Sequence, residues 1–127
     1  MEQVAQIDVG IDPEGMGVSP DVVTTSETTN MAHWIDTATK TIVANTLVDS
    51  RPRYAGFTRG GALWVSSEIG GTVTVFDVAT QTETAKIRFA IQGVNDDLIQ
   101  PVELAFTLDE TTAYVALGPS NHVAVVN

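Results

Sequence analysis

Short apolar stretches alternate with polar turns along the whole chain. The segments MAHWID (31–36), TVTVFD (72–77) and HVAVVN (122–127) are rich in Val, Ile or aromatic side chains. Such side chains favour strands because they fit a pleated surface and lose rotamer freedom in a helix. No stretch repeats its apolar residues at the helical spacing. The pattern therefore predicts an all-β fold of short antiparallel strands joined by Gly, Asp, Asn and Thr turns.

The predicted strands recur as a repeat, with prolines at corresponding positions. Pro13, Pro52 and Pro101 each begin a unit with a short strand, a Ser or Thr residue and a polar turn. The units span these ranges: 13–48, 52–90 and 101–127. A complete unit holds four strands in about 40 residues, which is typical of a β-propeller blade. We therefore expect a single β-propeller segment over residues 1–127.

Both ends of the pattern are incomplete. VAQIDVGIDP (4–13) matches VANTLVDSRP (43–52), so residues 3–9 are predicted to be a fourth strand without a blade of its own. The unit at 101–127 has three strands and no fourth. The total is about three blade-equivalents, below the usual four to eight blades of a propeller. We therefore expect a six-bladed homodimer in which residues 3–9 complete the other chain's last blade. A fragment of a longer propeller is the alternative that stays open.

Several stretches resemble known propeller repeats. LWVSSEIGGTVTVFDVAT resembles the YVTN-type β-propeller repeat. EGMGVSPD, TSETTNMAHWIDTAT and AYVALGPSNHVAVV are similar to the β-propeller proteins associated with pyrroloquinoline quinone (PQQ)-dependent alcohol catabolism. That resemblance implies a periplasmic, non-catalytic propeller of about seven repeats with no established substrate. This chain has fewer repeats, and MEQVAQIDVG lacks the features of a secretory signal, so the compartment is left open.

Composition and charge narrow the classes of function. Seventeen threonines and seventeen valines against six leucines agree with a β-rich fold. The formal net charge of −10 and the lack of a basic stripe exclude nucleic acid as an expected partner. No apolar run approaches the roughly 20 residues of a membrane helix, so we expect no membrane insertion. The absence of cysteine removes disulfides and thiolate metal sites.

The loops at one end of the predicted blades carry the candidate binding residues. SETTN (26–30) and SEIGG (67–71) share that face. Arg51 and Arg53 flank Pro52 and would lie at the mouth of the channel, where their guanidinium forks suit an anionic ligand or partner. The two arginines could equally pair with neighbouring carboxylates: Glu14, Glu27 or Glu68. The candidate ligand-binding residues are Arg51, Arg53, Glu27, Glu68 and Asn30.

The two histidines occupy different repeat positions, so they do not form a repeated metal site. His33 on a strand is predicted to be a packed, hydrogen-bonded residue, and we expect no metal and no cofactor. Asn95-Asp96-Asp97 lacks the pattern of a calcium loop. The sequence favours a non-enzymatic scaffold that binds a partner protein or a small ligand. The alternative is a metal-dependent lyase or hydrolase using His33 or His122 with Glu27 or Glu68.

Overall fold

The computed structural model describes residues 1–127 and contains eleven strands in three antiparallel sheets. Each sheet follows one of the predicted repeat units, so we name them blade one, blade two and blade three. The all-β prediction and the blade-like arrangement of the sheets are confirmed. No helix in the structure has the length and apolar character needed to cross a membrane.

Blades one and two each contain four strands in sequential order. The strands of blade one are β1 (Pro13–Val18), β2 (Val22–Ser26), β3 (Met31–Asp36) and β4 (Thr41–Leu47). The strands of blade two are β5 (Pro52–Phe57), β6 (Ala62–Ser67), β7 (Thr72–Asp77) and β8 (Thr82–Arg88). The two blades share the same register, because Pro13 pairs with Ser26 in one and Pro52 with Ser67 in the other.

Blade three is smaller and has three strands. These are β9 (Leu104–Phe106), β10 (Ala113–Ala116) and β11 (Val123–Val126), with β10 in the middle. Short 3₁₀ helices at Asp96–Leu98 and Gly118–Ser120 occupy the loops before β9 and before β11. The outer edge of β11 carries no fourth strand, as the sequence predicts.

Residues 1–9 form no strand in the single chain, which differs from the strand predicted at residues 3–9. The physical reason is that a strand needs a neighbour to receive its backbone hydrogen bonds. The residues between this segment and β1 nevertheless have the same backbone conformation as the link between blades one and two. Asp12 and Arg51 both have left-handed backbone, with φ of 57° and 60°. The Asp12 carbonyl accepts from the Glu27 N–H at 2.9 Å, just as the Arg51 carbonyl accepts from Glu68 at 2.8 Å.

Two apolar cores lie between the blades. The first joins blades one and two: Val23, Ala32, Trp34, Val48, Ala55, Leu63, Val65 and Phe76. The second joins blades two and three: Val73, Ile99, Leu104, Val115 and Leu117. Trp34 and Trp64 pack between blades, each edge-on to a phenylalanine of the next blade. The cores therefore hold the blades side by side and fix the innermost strands relative to one another.

The innermost strands β1 and β5 approach closely at Gly15. A Cβ at Gly15 would lie 2.4 Å from the carbonyl oxygen of Arg53, which is closer than real Cβ contacts allow. Glycine therefore permits this approach of the two strands. The approach brings the first residues of β1 and β5 together, and with them the charged side chains of Glu14 and Arg53.

Candidate functional site

Five charged side chains meet where the innermost strands begin. Glu14 lies in β1 and Arg53 in β5, Arg51 directly precedes β5, and Glu27 and Glu68 directly follow β2 and β6. We call this group the channel-mouth cluster. The equivalent loops of two blades deliver the two glutamates to one place, because Ser26 and Ser67 hold the same position in their sheets. The structure thus brings together four of the five predicted binding residues and adds Glu14.

The arginines of the channel-mouth cluster are engaged by its carboxylates. Arg53 Nη1 lies 2.9 Å from Glu14 Oε1 and 3.2 Å from Glu27 Oε2. Its Nε lies 3.4 Å from Glu68 Oε2. Arg51 Nε lies close to Glu27 Oε1 and 3.4 Å from Glu68 Oε2. The sequence left open whether the two arginines pair with neighbouring glutamates, and the structure shows that they do.

The cluster carries two positive and three negative charges, a formal sum of 2 − 3 = −1. Its side chains are unequally exposed, with Arg51 at 43% and Glu68 at 16%. The pKa of Glu14 is raised, chiefly because its carboxyl shares a hydrogen bond with Glu27, and burial adds to the shift. The pKa of Glu27 is lowered by the same hydrogen bond and by the nearby arginines. Of these two carboxyls, Glu14 therefore takes up a proton first as the pH falls, while Glu27 stays ionised against the arginines.

Asn30 supports the cluster through its side-chain amide. Its Oδ1 accepts from the Arg51 backbone N–H at 3.1 Å, and its own backbone is left-handed with φ of 55°. Its carbonyl accepts from the Val48 N–H at 3.0 Å. Asn30 thus fixes the link between β4 and β5, which sets the position of Arg51. The structure gives this predicted binding residue a positioning role.

The third blade lacks an equivalent of the cluster. Gln100 and Val102 stand where blade two has Arg51 and Arg53, and Gly118 stands where it has Glu68. The charged site is therefore specific to the junction of blades one and two.

His33 is buried and held by three polar neighbours. The Gly10 N–H donates to Nε2 at 3.1 Å, and Ser26 Oγ lies 2.7 Å from the same nitrogen. Nδ1 lies 2.6 Å from Asn45 Oδ1. Because a backbone amide can only donate, the neutral imidazole carries its proton on Nδ1 and donates to Asn45. His33 is packed and hydrogen-bonded, as predicted.

The other candidate site residues lie apart from the channel-mouth cluster and from His33. His122 is exposed and its Nδ1 lies 2.5 Å from the Ser120 carbonyl. The Asn95 side chain accepts from the Asp97 N–H and caps the 3₁₀ helix that follows it. Nowhere in the structure do three or more His, Asp or Glu side chains gather in an arrangement that could hold a metal ion.

Sequence reasoning missed a second charged group between the blades. Asp49 accepts from Thr72 Oγ1 at 2.7 Å and contacts Lys86 Nζ at 3.2 Å. Burial works to raise the pKa of Asp49, but the bonds from Thr72 and Lys86 outweigh it and hold that pKa below its usual value. The acid in DSR (49–51) marks the loop, but its partner lies on a strand 37 residues away, which no local pattern reveals.

Comparison with solved structures supports the propeller fold. The chain is similar to hydrazine synthase from Kuenenia stuttgartiensis, with a TM-score of 0.78 and 20% identity over 100% of this chain and 36% of that one. It is also similar to a protein of unknown function from Bacteroides caccae, with a TM-score of 0.68 and 10% identity over 84% of this chain and 42% of that one. At these identities the likeness shows the fold alone, that of a partial β-propeller. The chain spans less than half the length of either structure.

No protein-family model matches the chain, and no curated protein matches it. The resemblance to the YVTN-type repeat and to the PQQ-associated propellers therefore stays a prediction.

Proposed function

We propose that the chain is a non-enzymatic β-propeller scaffold that binds a small anionic ligand, or an acidic group of a partner protein, at the channel-mouth cluster. The observation that carries the proposal is the state of Arg51. Its side chain is 43% exposed, its shortest contacts with Glu27 and Glu68 are made by Nε, and neither Nη atom donates a hydrogen bond to the protein. A carboxylate or phosphate can receive two parallel hydrogen bonds from such a fork.

The other cluster members have supporting roles in this proposal. Arg53 is engaged by three carboxylates and is less exposed than Arg51, so it acts mainly to hold Glu27 and Glu68 in place. Glu27 and Glu68 then orient the Arg51 side chain. The formal charge of the cluster is −1, so the ligand is recognised by the direction of the guanidinium fork and not by a general positive field.

The setting of this scaffold is also part of the proposal. We take the chain to be a YVTN-type repeat protein that serves PQQ-dependent alcohol catabolism in the periplasm as a homodimer. The support is the resemblance of its repeats to that family and the partial-propeller fold. The non-catalytic assignment is supported by the engagement of His33 with Gly10, Ser26 and Asn45, which leaves neither of its ring nitrogens for a substrate.

Titration with inorganic phosphate and with small mono- and dicarboxylates tests the binding role. We expect one of these anions to shift the side-chain NMR signals of Arg51 and to release heat in calorimetry. Arg51→Ala should weaken that binding at least about tenfold, since a charge-assisted bidentate pair is lost.

Arg59→Ala is the matched control, because Arg59 also lies beside a carboxylate but sits in the turn between β5 and β6. It should leave binding unchanged. Equal binding by wild type and Arg51→Ala, or no binding by wild type to any of these anions, would contradict the proposal.

A further inference from the structure

The outer edge of blade three is an apolar groove without a strand in it. Val123 and Val125 of β11 are 62% and 60% exposed, whereas Ala32 and Trp34 at the same positions of blade one are 0% exposed. The groove has a volume of about 530 Å³, and its opposite wall is the end of β8 and the residues after it, including Phe89. Blade three thus presents the edge on which blades one and two carry their fourth strands.

Residues 3–9 lie where the fourth strand of a preceding blade would lie. Val9 lines a gap with Val22 and Ile35 on the open face of blade one. The corresponding residue at the end of blade one, Val48, packs in the core that holds the matching residues of blade two. Those matching residues are Leu63 and Phe76. The N-terminal segment therefore packs on blade one as β4 packs on blade two, but it has no third strand beside it.

The open face of blade one and the open face of blade three also match near their innermost strands. Val18 of β1 is 71% exposed, and its counterpart in both later blades is a phenylalanine covered by a tryptophan of the preceding blade. Tyr114 of β10 is 45% exposed and stands at the position of Trp64. The face of blade three thus offers an aromatic residue at the place where blade one lacks a cover.

We propose that the groove on blade three is filled by residues 3–9 of a second copy of this chain, so that two chains close a six-bladed ring. The pairing of β3 with β4 gives the register: Ile7 of one copy opposes Val123 of the other, as Thr46 opposes Ala32. Asp8 then opposes His122, as Leu47 opposes Met31. An aspartate and a histidine that oppose each other on paired strands of the two copies are complementary.

A second copy suits the groove because each chain carries both halves of the contact, an N-terminal segment that matches a fourth strand and an open edge at β11. Twofold symmetry forms both contacts between the two copies at once and leaves no exposed strand edge. One chain closing on itself would make three blades, below the range in which propellers occur. This assembly rests on the homodimer of the proposed function but requires no ligand, so its failure would leave the role of Arg51 untouched.

Engineered cysteines test the register directly, since the native chain has none. Ile7→Cys combined with Val123→Cys should give a disulfide-linked dimer as the main product after mild oxidation, because opposed residues of paired strands lie within disulfide reach. Gln6→Cys combined with Val123→Cys is the control, since neighbouring residues of a strand point to opposite faces. It should link at least about tenfold less. Equal linking in both variants would overturn the proposal.

Light scattering on variants with one added charge tests the surface itself. Val125→Arg should convert the dimer to a folded monomer at micromolar concentration, because the residue is exposed in one chain and covered in the ring. Leu108→Arg changes an apolar residue that is even more exposed, in the turn before β10, and should remain dimeric. A wild-type protein that is a well-folded monomer, or larger than two copies, would overturn the proposal in favour of another occupant.

Discussion

The two interfaces between blades pair a tryptophan with a phenylalanine, but they take the tryptophan from different strands. Between blades one and two, Trp34 of the third strand meets Phe57 at a ring-centre distance of 6.2 Å. Between blades two and three, Trp64 of the second strand meets Phe106 at 5.4 Å. Both phenylalanines end the first strand of their blade. The repeat therefore fixes where the covered ring lies, while the covering ring can come from either neighbouring strand.

The two interfaces also differ in completeness. Trp34 is fully buried and its indole N–H donates to Thr46 Oγ1 at 2.8 Å. Trp64 is only partly buried and lines a pocket of about 260 Å³ together with Phe106. Blade three explains the difference, because β9 has three residues where β5 has six and no fourth strand follows β11. A full blade on both sides is needed to enclose the tryptophan.

Trp34→Ala should break the first interface and have the largest effect on stability. It removes a fully buried indole and its hydrogen bond, so we expect the free energy of unfolding to fall by about 3–5 kcal/mol. Trp64→Ala should cost less, about 1–2 kcal/mol, because part of that ring is already exposed. Urea unfolding at a fixed chain concentration measures both values. Equal losses would mean that the second interface is as complete as the first.

Much of this architecture is readable from the sequence, because turns and apolar alternation repeat with the blade. Pro13 and Pro52, for example, mark equivalent register positions in their sheets. The channel-mouth cluster was predicted as a location, with pairing of its arginines and glutamates as one alternative, but its geometry was not predicted. Its geometry depends on the approach of β1 to β5 at Gly15, a tertiary distance without a local signal. The missing strand at residues 3–9 has the same cause, since pairing requires a partner outside the segment.

His33→Thr tests how much the side chain of His33 contributes to stability on the face of β3 that points away from blade two. The change introduces the residue found at the same position of blade two, Thr74. A threonine cannot reach both Gly10 N–H and Asn45, so we expect a loss of about 1–3 kcal/mol in the free energy of unfolding. Hydrogen exchange of the Gly10 amide should accelerate as well. Gln92→Ala, at an exposed residue, should change stability by less than about 0.5 kcal/mol, and a similarly small loss for His33→Thr would contradict the expectation.

The smallest predicted effect concerns the turns that are alike in blades one and two. Asp36 accepts from the Thr39 N–H at 2.6 Å, and Asp77 accepts from Thr80 N–H and Oγ1 at 2.8 Å each. The pKa of Asp36 is lowered chiefly by the backbone bond from Thr39, and that of Asp77 chiefly by the hydroxyl of Thr80. Because the pKa of both carboxyls is lower in the folded protein, the stability they contribute is present above the unfolded pKa of about 3.9 and is lost as pH falls through the folded pKa.

The double variant Asp36→Asn with Asp77→Asn should therefore flatten the fall in unfolding temperature between about pH 5 and pH 2, since the asparagines cannot be protonated in that range. Asp97→Asn is the control, because the Asp97 carboxylate accepts no hydrogen bond from the Thr residues of such a turn and is exposed. Each single variant should produce about half of the flattening, because the two turns are built alike in separate blades and independent sites are additive. If the unfolding temperature falls equally with pH in the double variant and in the wild type, these turns do not contribute to the acid sensitivity of the propeller segment.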